Sequence, residues 1–341
     1  MAARDTLIAV EGLAEAILTT HAESLGATAA ASGAVRGGGV EATELTSTGV
    51  AVVRIAPSGN WPGAVIKIAM TPPAGLALER ENEALLALRR EDRLGSWLEL
   101  LPRAIAQGRI DGRPYRVDRA LPGHPALDQL SNATMRRRVL NTAAGAIDAL
   151  HRRTATIVRG NVAEAWVDAH IRELTRPMRR RLLTSQLELL RDELHDALAG
   201  QAFSTGWIHG DYWLGNVLWG EPGPDAAAPA GIIDWEASAA NELPMHDFFH
   251  LVLYTRRLLT GRELGHIVRD LLIGDEWSGD ERRFLDRFGG WHRCGSLSDR
   301  HLLLLYWLRH VAMHARQQSP PVGLRYRVWE QRNVLPVLAS L

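Results

Sequence analysis

The chain contains one cysteine, Cys294, in 341 residues. No intrachain disulfide can form, and nothing in the sequence requires an oxidising compartment. The segment Trp291-His292-Arg293-Cys294 holds no thiolate-activating constellation, so Cys294 reads as a small packed side chain. Net charge is missing as well, since 39 basic residues balance 39 acidic ones. That removes the basic excess with which nucleic-acid-binding proteins meet phosphates. No stretch approaches the roughly 18 uninterrupted apolar residues of a membrane span. Leu302-Leu303-Leu304-Leu305 is bracketed by Arg300, His301 and Arg309, which makes it part of a soluble helix. The N-terminus has no basic region followed by an apolar run and a small-residue cleavage site, and the expected location is cytoplasmic. The histidines read as scattered, so a metal hydrolase with His-x-x-x-His or His-Glu-x-x-His on a helix is not expected.

Lysine is nearly absent. Among the 39 basic residues only Lys67 is a lysine. Arginine is bulky and forked, whereas lysine is a compact point charge on a thin stem. A chain that uses arginine everywhere else singles out position 67 as a place where that difference counts.

What is present begins with hydrophobic content, 46%, ample for one large core or two ordinary ones. Residues 5–25 have the period of an amphipathic helix, and the Gly/Ala/Ser-rich stretch 26–39 reads as a loop. Residues 49–56 and 63–69 form two β-rich runs around the turn cluster Pro57-Ser58-Gly59-Asn60. The pair is expected to be an antiparallel hairpin that Pro72-Pro73 ends. A helix is expected over 76–92 and two short strands over 103–108 and 113–121. From 130 to 200 the pattern is almost wholly helical. A β-rich island follows, at Trp207-Ile208-His209, Val217-Leu218-Trp219 and Gly231-Ile232-Ile233-Asp234, with Ala226 to Ala230 as a hairpin tip. Helices return from 247 to the end.

The island carries the chemistry. His209-Gly210-Asp211 leads to Asn216 with the spacing His-x-Asp-x-x-x-x-Asn, and Asp234 follows after two isoleucines. Phosphoryl transfer from a nucleotide needs a carboxylate to orient the attacking hydroxyl, oxygen ligands for Mg²⁺, and a cation on the phosphates. Asp211 suits the first need and Asn216 and Asp234 the second, because Mg²⁺ takes a few hard oxygens. Lys67 suits the third, held by Glu81 from the following helix. Each of these alone is a commonplace. Their joint order along the chain is not.

With these motifs the chain resembles the aminoglycoside phosphotransferase and choline kinase-like small-molecule kinases, from about residue 45 to at least 255. The likeness is sharpest in His209-Gly210-Asp211, Gly215-Asn216-Val217-Leu218 and Ile233-Asp234-Trp235-Glu236. The resemblance implies an α+β, two-lobed protein-kinase-like fold with a small antiparallel-sheet N-lobe and a mostly helical C-lobe, divided as 1–120 and 121–341, and nucleotide in the cleft between them. It puts Asp211, with His209, at the catalytic position and Asn216 and Asp234 at the metal positions. Lys67 falls at the phosphate-contacting position, and Glu81 matches the helix glutamate better than Glu79 or Glu83. Val117 to Gly123 matches the interlobe hinge, with Asp118 and Ala120 at the nucleobase, and the nucleotide loop is Thr46-Ser47-Thr48-Gly49. That loop departs from the Gly-rich pattern by having one glycine. Pro244-Met245-His246-Asp247 resembles a later motif in which the aspartate supports the catalytic loop.

The expected cofactors are ATP or GTP with Mg²⁺, and the expected partner is a small-molecule hydroxyl acceptor. No nucleic acid or membrane partner is expected, and the chain is taken as a monomer or homodimer. The acceptor side is less determined. Residues 251–341 hold 14 arginines against 9 acidic residues, a poor site for a polycation. Arg309, His310 and Arg316 form either a solvated basic helix face or a site for an anionic group. Tyr212-Trp213 either shapes the acceptor pocket or packs beneath the loop. A sugar-like or nucleoside-like acceptor is the main expectation, with an aminoglycoside antibiotic as the alternative and a non-catalytic nucleotide-binding module as a third reading. Glu236, Glu242 and Asp247 supply the local negative charge that the antibiotic reading needs.

Overall fold

The structure is a computed structural model that describes residues 2–21, 40–46, 48–57, 63–175, 181–220, 229–274, 276–289, 294–317 and 324–341. In chain order its elements begin with α1 (Ala2–Thr20), β1 (Val40–Leu45), β2 (Val50–Ile55), β3 (Ala64–Ala69) and α2 (Pro72–Arg89). They continue with β4 (Arg103–Ile110), β5 (Arg113–Arg119), β6 (His124–Pro125), α3 (Ala133–Arg153), β7 (Thr156–Arg159), α4 (Ala169–Thr175) and α5 (Arg181–Leu198). Next come β8 (Ala202–Ile208), β9 (Val217–Trp219), β10 (Pro229–Ile232), β11 (Ala239–Glu242) and α6 (Met245–Thr260). The chain ends with α7 (Leu264–Ile273), α8 (Gly279–Phe288), α9 (Asp299–Gln317), α10 (Leu324–Asn333) and α11 (Leu335–Leu338). Two compact units divide it: residues 1–90, 96–123 and 230–236 form the first, and 91–95, 124–229 and 237–341 the second.

The first unit is built on a five-stranded antiparallel sheet in the order β1-β2-β3-β5-β4. The expected hairpin is β2 and β3, in register from Val50↔Ala69 to Ile55↔Ala64. Strand side chains alternate between faces, and the sequence Ala64-Val65-Ile66-Lys67-Ile68 uses that alternation. Ala64, Ile66 and Ile68 join Val53, Ile55 and Val117 in a fully buried cluster with Val10, Ala14, Ile17 and Leu18 of α1. Burying each such aliphatic side chain stabilises by about 1.5–3 kcal/mol. Lys67 is thereby turned to the opposite face, where α2 lies.

That helix starts earlier than its hydrophobic pattern suggests. Pro72 and Pro73 occupy its first turn, and Thr71 caps it by accepting the N–H of Ala74 at 3.3 Å. Proline lacks an N–H that the first turn could not pair anyway, so the Pro-Pro step ends β3 and opens α2 at once. The expected end of α1 also shifts, to Thr20, and the loop assigned to 26–39 and the hairpin tip at 226–228 lie outside the described residues.

The second unit is mostly helical. Its centre is α9, whose residues Leu302 to Arg309 are all buried and which packs on α4, α6 and α7. Among the described residues no helix is long and apolar enough to cross a membrane. The stretch 130–200, expected to be almost wholly helical, is so among the described residues except for one short strand. Thr156–Arg159 forms β7, antiparallel to β8, with β11 on the other side. The β-branched pair Thr156-Ile157 leads through Val158 to Gly160 at φ +98°, which ends the strand. The short signal was masked by long helices on both sides. In a separate ribbon β6 pairs with β9, His124 opposite Trp219.

Candidate active site

The first unit gathers charges of both signs on the α2 face of its sheet. Lys67 Nζ lies 2.7 and 2.8 Å from the two carboxylate oxygens of Glu81, and 3.8 Å from Asp234 Oδ1. Of the three candidate glutamates, Glu81 is the buried one at 2% exposure; Glu79 is largely exposed near Arg109, and Glu83 faces solvent. Burial alone would lower the ammonium pKa. The Glu81 carboxylate, then Asp234, outweighs burial and raises it. Burial likewise pushes Glu81 upward, but Lys67 and Arg116 hold it below its ordinary value. Both groups are therefore ionised at neutral pH.

Arg116 stands directly opposite Lys67 on β5, a like-charge pair that would destabilise the sheet if left alone. Its Nε reaches both Asp118 carboxylate oxygens at 2.8 and 2.9 Å, and its Nη1 donates to Asn82 at 2.8 Å. The Asp118 side chain is thus already engaged, and burial, with Glu81 adding to it, raises its pKa. Ala120 donates its N–H to Gly63 at 3.2 Å. At the turn before β2, the Thr46 and Thr48 hydroxyls are 2.9 Å apart, and Thr71 donates to the Thr48 carbonyl at 3.2 Å. Gly49 has φ +88°, and a Cβ there would sit 2.7 Å from the Thr71 hydroxyl, so only glycine fits. Ser47 lies outside the described residues.

Asp234 ends the isoleucine run with φ +70°, a left-handed conformation that a non-glycine residue adopts at a cost. The neighbouring Trp235 supports it. Its indole donates to the Ile232 carbonyl at 2.8 Å and meets Trp97 edge-on at 5.9 Å, while its N–H points to Glu81 at 3.4 Å. The Asp234 carboxylate is 48% exposed.

In the second unit the loop from His209 to Asn216 is clamped from below by Asp247, at the start of α6. Fully buried Asp247 accepts the N–H of His209 at 2.9 Å and of Gly210 at 2.8 Å, and its Oδ2 is 2.8 Å from His151 Nε2. Burial would raise this carboxylate's pKa; the bond to His151 and the other donors lower it instead. Arg309 clamps the same loop from α9, donating to the Gly210 carbonyl at 3.2 Å and to the Ala237 carbonyl at 2.8 Å. Gly210, at φ +84°, is where these elements converge: a Cβ would lie 2.2 Å from the Ala237 oxygen.

The clamp presents Asp211, whose side chain is 31% exposed. Its Oδ1 lies 2.9 Å from His250 Nε2 on α6. Asn216 donates its amide to the Asp211 carbonyl at 2.9 Å and reaches Oδ2 at 3.4 Å. Burial would raise the carboxylate's pKa, but His250, then His209 and His310, take it well below the usual range. His209 itself is fully buried; its Nδ1 accepts the Asp211 N–H at 3.3 Å, which shapes the turn. Tyr212 is also fully buried and donates to the Ala143 carbonyl at 2.8 Å, so it packs beneath the loop. Trp213 folds back over Gly215 and stands 4.8 Å from the Tyr254 ring.

Two expectations about the basic C-terminal face need correction. Arg309 is not a surface cation, because both its carbonyl partners are internal and it is 8% exposed. The histidines are not all scattered: His246 and His250, and His310 and His314, are four residues apart on α6 and α9. Even so, no group of three or more His, Cys, Asp or Glu suited to a metal occurs among the described residues. Mg²⁺ does not require one, since it keeps waters and phosphate oxygens and takes one or two protein oxygens. Asn216 fits that demand. Its amide nitrogen is committed, and its Oδ1 makes no hydrogen bond among the described residues. Sequence reasoning missed His250 and Tyr306, which have no motif around them. Their signal is a polar ring placed where helix periodicity demands a core residue.

The profile of the phosphotransferase enzyme family matches residues 43–285, more than two thirds of the chain. No curated protein matches it. Among solved structures, the aminoglycoside phosphotransferase APH(3'')-Id of Streptomyces rimosus, in complex with ADP and streptomycin, is similar at 20% identity and a TM-score of 0.51, covering 84% of this chain and 97% of its own. An aminoglycoside 2'-phosphotransferase of type IIIa bound to GDP is similar at 14% identity and a TM-score of 0.50, covering 88% of this chain and 91% of its own. At these identities the likeness is one of fold: an α+β kinase-like architecture with an antiparallel sheet and a helical remainder.

Proposed function

The chain belongs to the phosphotransferase enzyme family, and from that premise we propose that it moves the γ-phosphate of ATP or GTP to a hydroxyl of a sugar-like or nucleoside-like small molecule. Asp211 orients the acceptor hydroxyl and takes its proton. Lys67, positioned by Glu81, meets phosphate oxygens, and Asn216 and Asp234 supply oxygen ligands to Mg²⁺, which when bound neutralises charge on the phosphates. His209 acts through the loop rather than on substrate. The segment around Asp118 and Ala120 serves the nucleobase through its backbone, because the Asp118 side chain is committed to Arg116. The turn at Thr46, Ser47, Thr48 and Gly49 lies over the phosphates.

The observation that carries this reading is the state of Asp211. Its backbone is clamped, one carboxylate oxygen lies 2.9 Å from His250 Nε2, it is kept ionised, and its side chain stays partly exposed. The acceptor class follows from what surrounds it. The groups that act on Asp211 are the imidazoles of His250, His209 and His310, and the rings of Trp213 and Tyr254 lie alongside. Rings of this kind suit the face of a sugar or base. A polycationic aminoglycoside, such as the streptomycin in the Streptomyces rimosus structure, would need carboxylates. Glu236 and Glu242 are each pushed up to about 7 by burial, and Asp247 is consumed beneath the loop.

The test is a nucleotide-consumption screen with Mg²⁺ across sugars, nucleosides, amino alcohols and aminoglycosides. Turnover with a sugar or nucleoside supports the proposal. Turnover confined to aminoglycosides would move the enzyme to the antibiotic class, and nucleotide binding without turnover on any acceptor would make it a non-catalytic module.

A further inference from the structure

Helix α6 has two working faces. Its residues follow a period of 3.6, so His250 and Tyr254, on the side of Asp211, lie opposite Val252, Thr255 and Leu259. That second face borders a cleft of about 830 Å³. Helices α3 and α8 complete it, each packed on α6 and on the other. The cleft lies wholly within the second unit, and no residue from His209 to Asn216 lines it. Its volume falls within the range of small-molecule sites, roughly 300–1,000 Å³. A bare inorganic anion would fill only a corner of it.

Two kinds of side chain line this cleft. Leu140, Val252, Leu259 and Phe284 give it an apolar wall, and Leu259 is left 49% exposed. The charged lining is unbalanced, with five arginines against Asp280 and Glu281, in a chain whose charges otherwise cancel. Both acids are already spent. Glu281 takes Arg256 Nε at 2.8 Å and the Ser278 N–H at 2.8 Å, and Asp280 takes Arg283 at 2.6 Å. The other three arginines have no carboxylate. Arg136 donates to the Leu130 carbonyl at 2.7 Å, the Arg287 guanidinium stands 4.8 Å over the Phe288 ring, and Arg137 has no partner among the described residues. On α8, Arg283 and Arg287 are four residues apart, a like-charge spacing that repels. A guanidinium is a planar fork that binds carboxylate, sulfonate or phosphate through paired hydrogen bonds.

We infer that the cleft between α3, α6 and α8 is a second ligand site, for a small amphipathic anion. The anionic group meets Arg136, Arg137 and Arg287, and an apolar body lies on Leu140, Leu259 and Phe284. Charge complementarity sets the sign of the ligand, and the size of the cleft with its apolar wall requires the body. The inference goes beyond phosphoryl transfer and stands whichever acceptor Asp211 serves.

The experiment titrates the full chain with 8-anilinonaphthalene-1-sulfonate, followed by its fluorescence, with and without saturating ATP and Mg²⁺. N-phenyl-1-naphthylamine, the same rings without the sulfonate, is the neutral control. Saturable sulfonate binding is expected, with a Kd that ATP leaves within twofold, and the neutral probe should bind at least about tenfold more weakly. Arg137 and Arg287 are exposed, so the double variant Arg137→Gln/Arg287→Gln should keep its Tm. It should raise the sulfonate Kd by roughly tenfold, the scale of a lost charge-assisted pair. Leu259→Gln should weaken both probes. Arg109→Gln, at an exposed arginine of the first unit, should leave the Kd within twofold. Absence of saturable binding, displacement by ATP, or a neutral probe that binds as tightly would each overturn the inference. So would a double-variant Kd within twofold of wild type at equal Tm, or an Arg109→Gln loss as large as that of the double variant.

Discussion

The two units hold their critical side chains by opposite means. In the first, charge answers charge: Lys67 meets Glu81 and Asp234, and Arg116 meets Asp118. In the second, the carboxylates of Asp211 and Asp247 are met by imidazole rings and backbone N–H groups. Buried ion pairs tolerate small displacement, because Coulomb attraction is long-ranged. Hydrogen bonds weaken steeply with angle. The first arrangement therefore tolerates small shifts that the hydrogen bonds around Asp247 do not.

That contrast can be broken by mutation. The largest effect is expected at Asp211. Asp211→Asn should cut turnover by about 100- to 10,000-fold, the range for a lost general base, with circular dichroism and nucleotide binding little changed. Turnover near wild type would remove Asp211 from the mechanism. Asp247→Ala should act on stability instead. It strands the His209 and Gly210 N–H groups and His151, a loss of about 3 kcal/mol, visible as a lower Tm and a smaller urea midpoint.

Lys67→Arg tests the first unit more gently. The charge stays, but the forked guanidinium cannot sit 2.7 Å from Glu81 and keep the same reach. The nucleotide KM should rise by roughly tenfold, about 1.4 kcal/mol, with the acceptor KM unchanged. The smallest effect concerns pH. Burial raises Glu242 from 4.5 to about 7. Between those values the folded chain binds more protons than the unfolded one, so stability falls as pH rises through the window. Glu242→Gln should flatten the Tm-against-pH curve between pH 5 and 7, and an unchanged slope would show that Glu242 does not titrate there.

Much of the arrangement was legible along the chain. The alternation in Ala64 to Ile68 predicts which way Lys67 points, and the spacing of Glu81 predicts which glutamate meets it. The His209-to-Asn216 loop and the strand-end Asp234 declare themselves because their spacing is local. What was illegible lay in short or distant features. Strand β7 has four residues between long helices, and the Pro-Pro step reads as a break although it opens α2. Tyr212 has two readings in the sequence, and the bond from its hydroxyl to the Ala143 carbonyl decides between them.

The deepest division is between neighbours in sequence and neighbours in space. Strand and helix periods, caps, turns and the compact phosphotransferase motifs are set by residues a few positions apart, so the sequence alone carries them. From the sequence Arg309 belongs either to a solvated basic helix face or to a site for an anionic group, and nothing local marks His250. Only packing α6 and α9 against the loop brings a guanidinium to Gly210 and an imidazole to Asp211, over separations of 99 and 39 residues. Such contacts depend on how whole helices are buried together, and no local pattern encodes that.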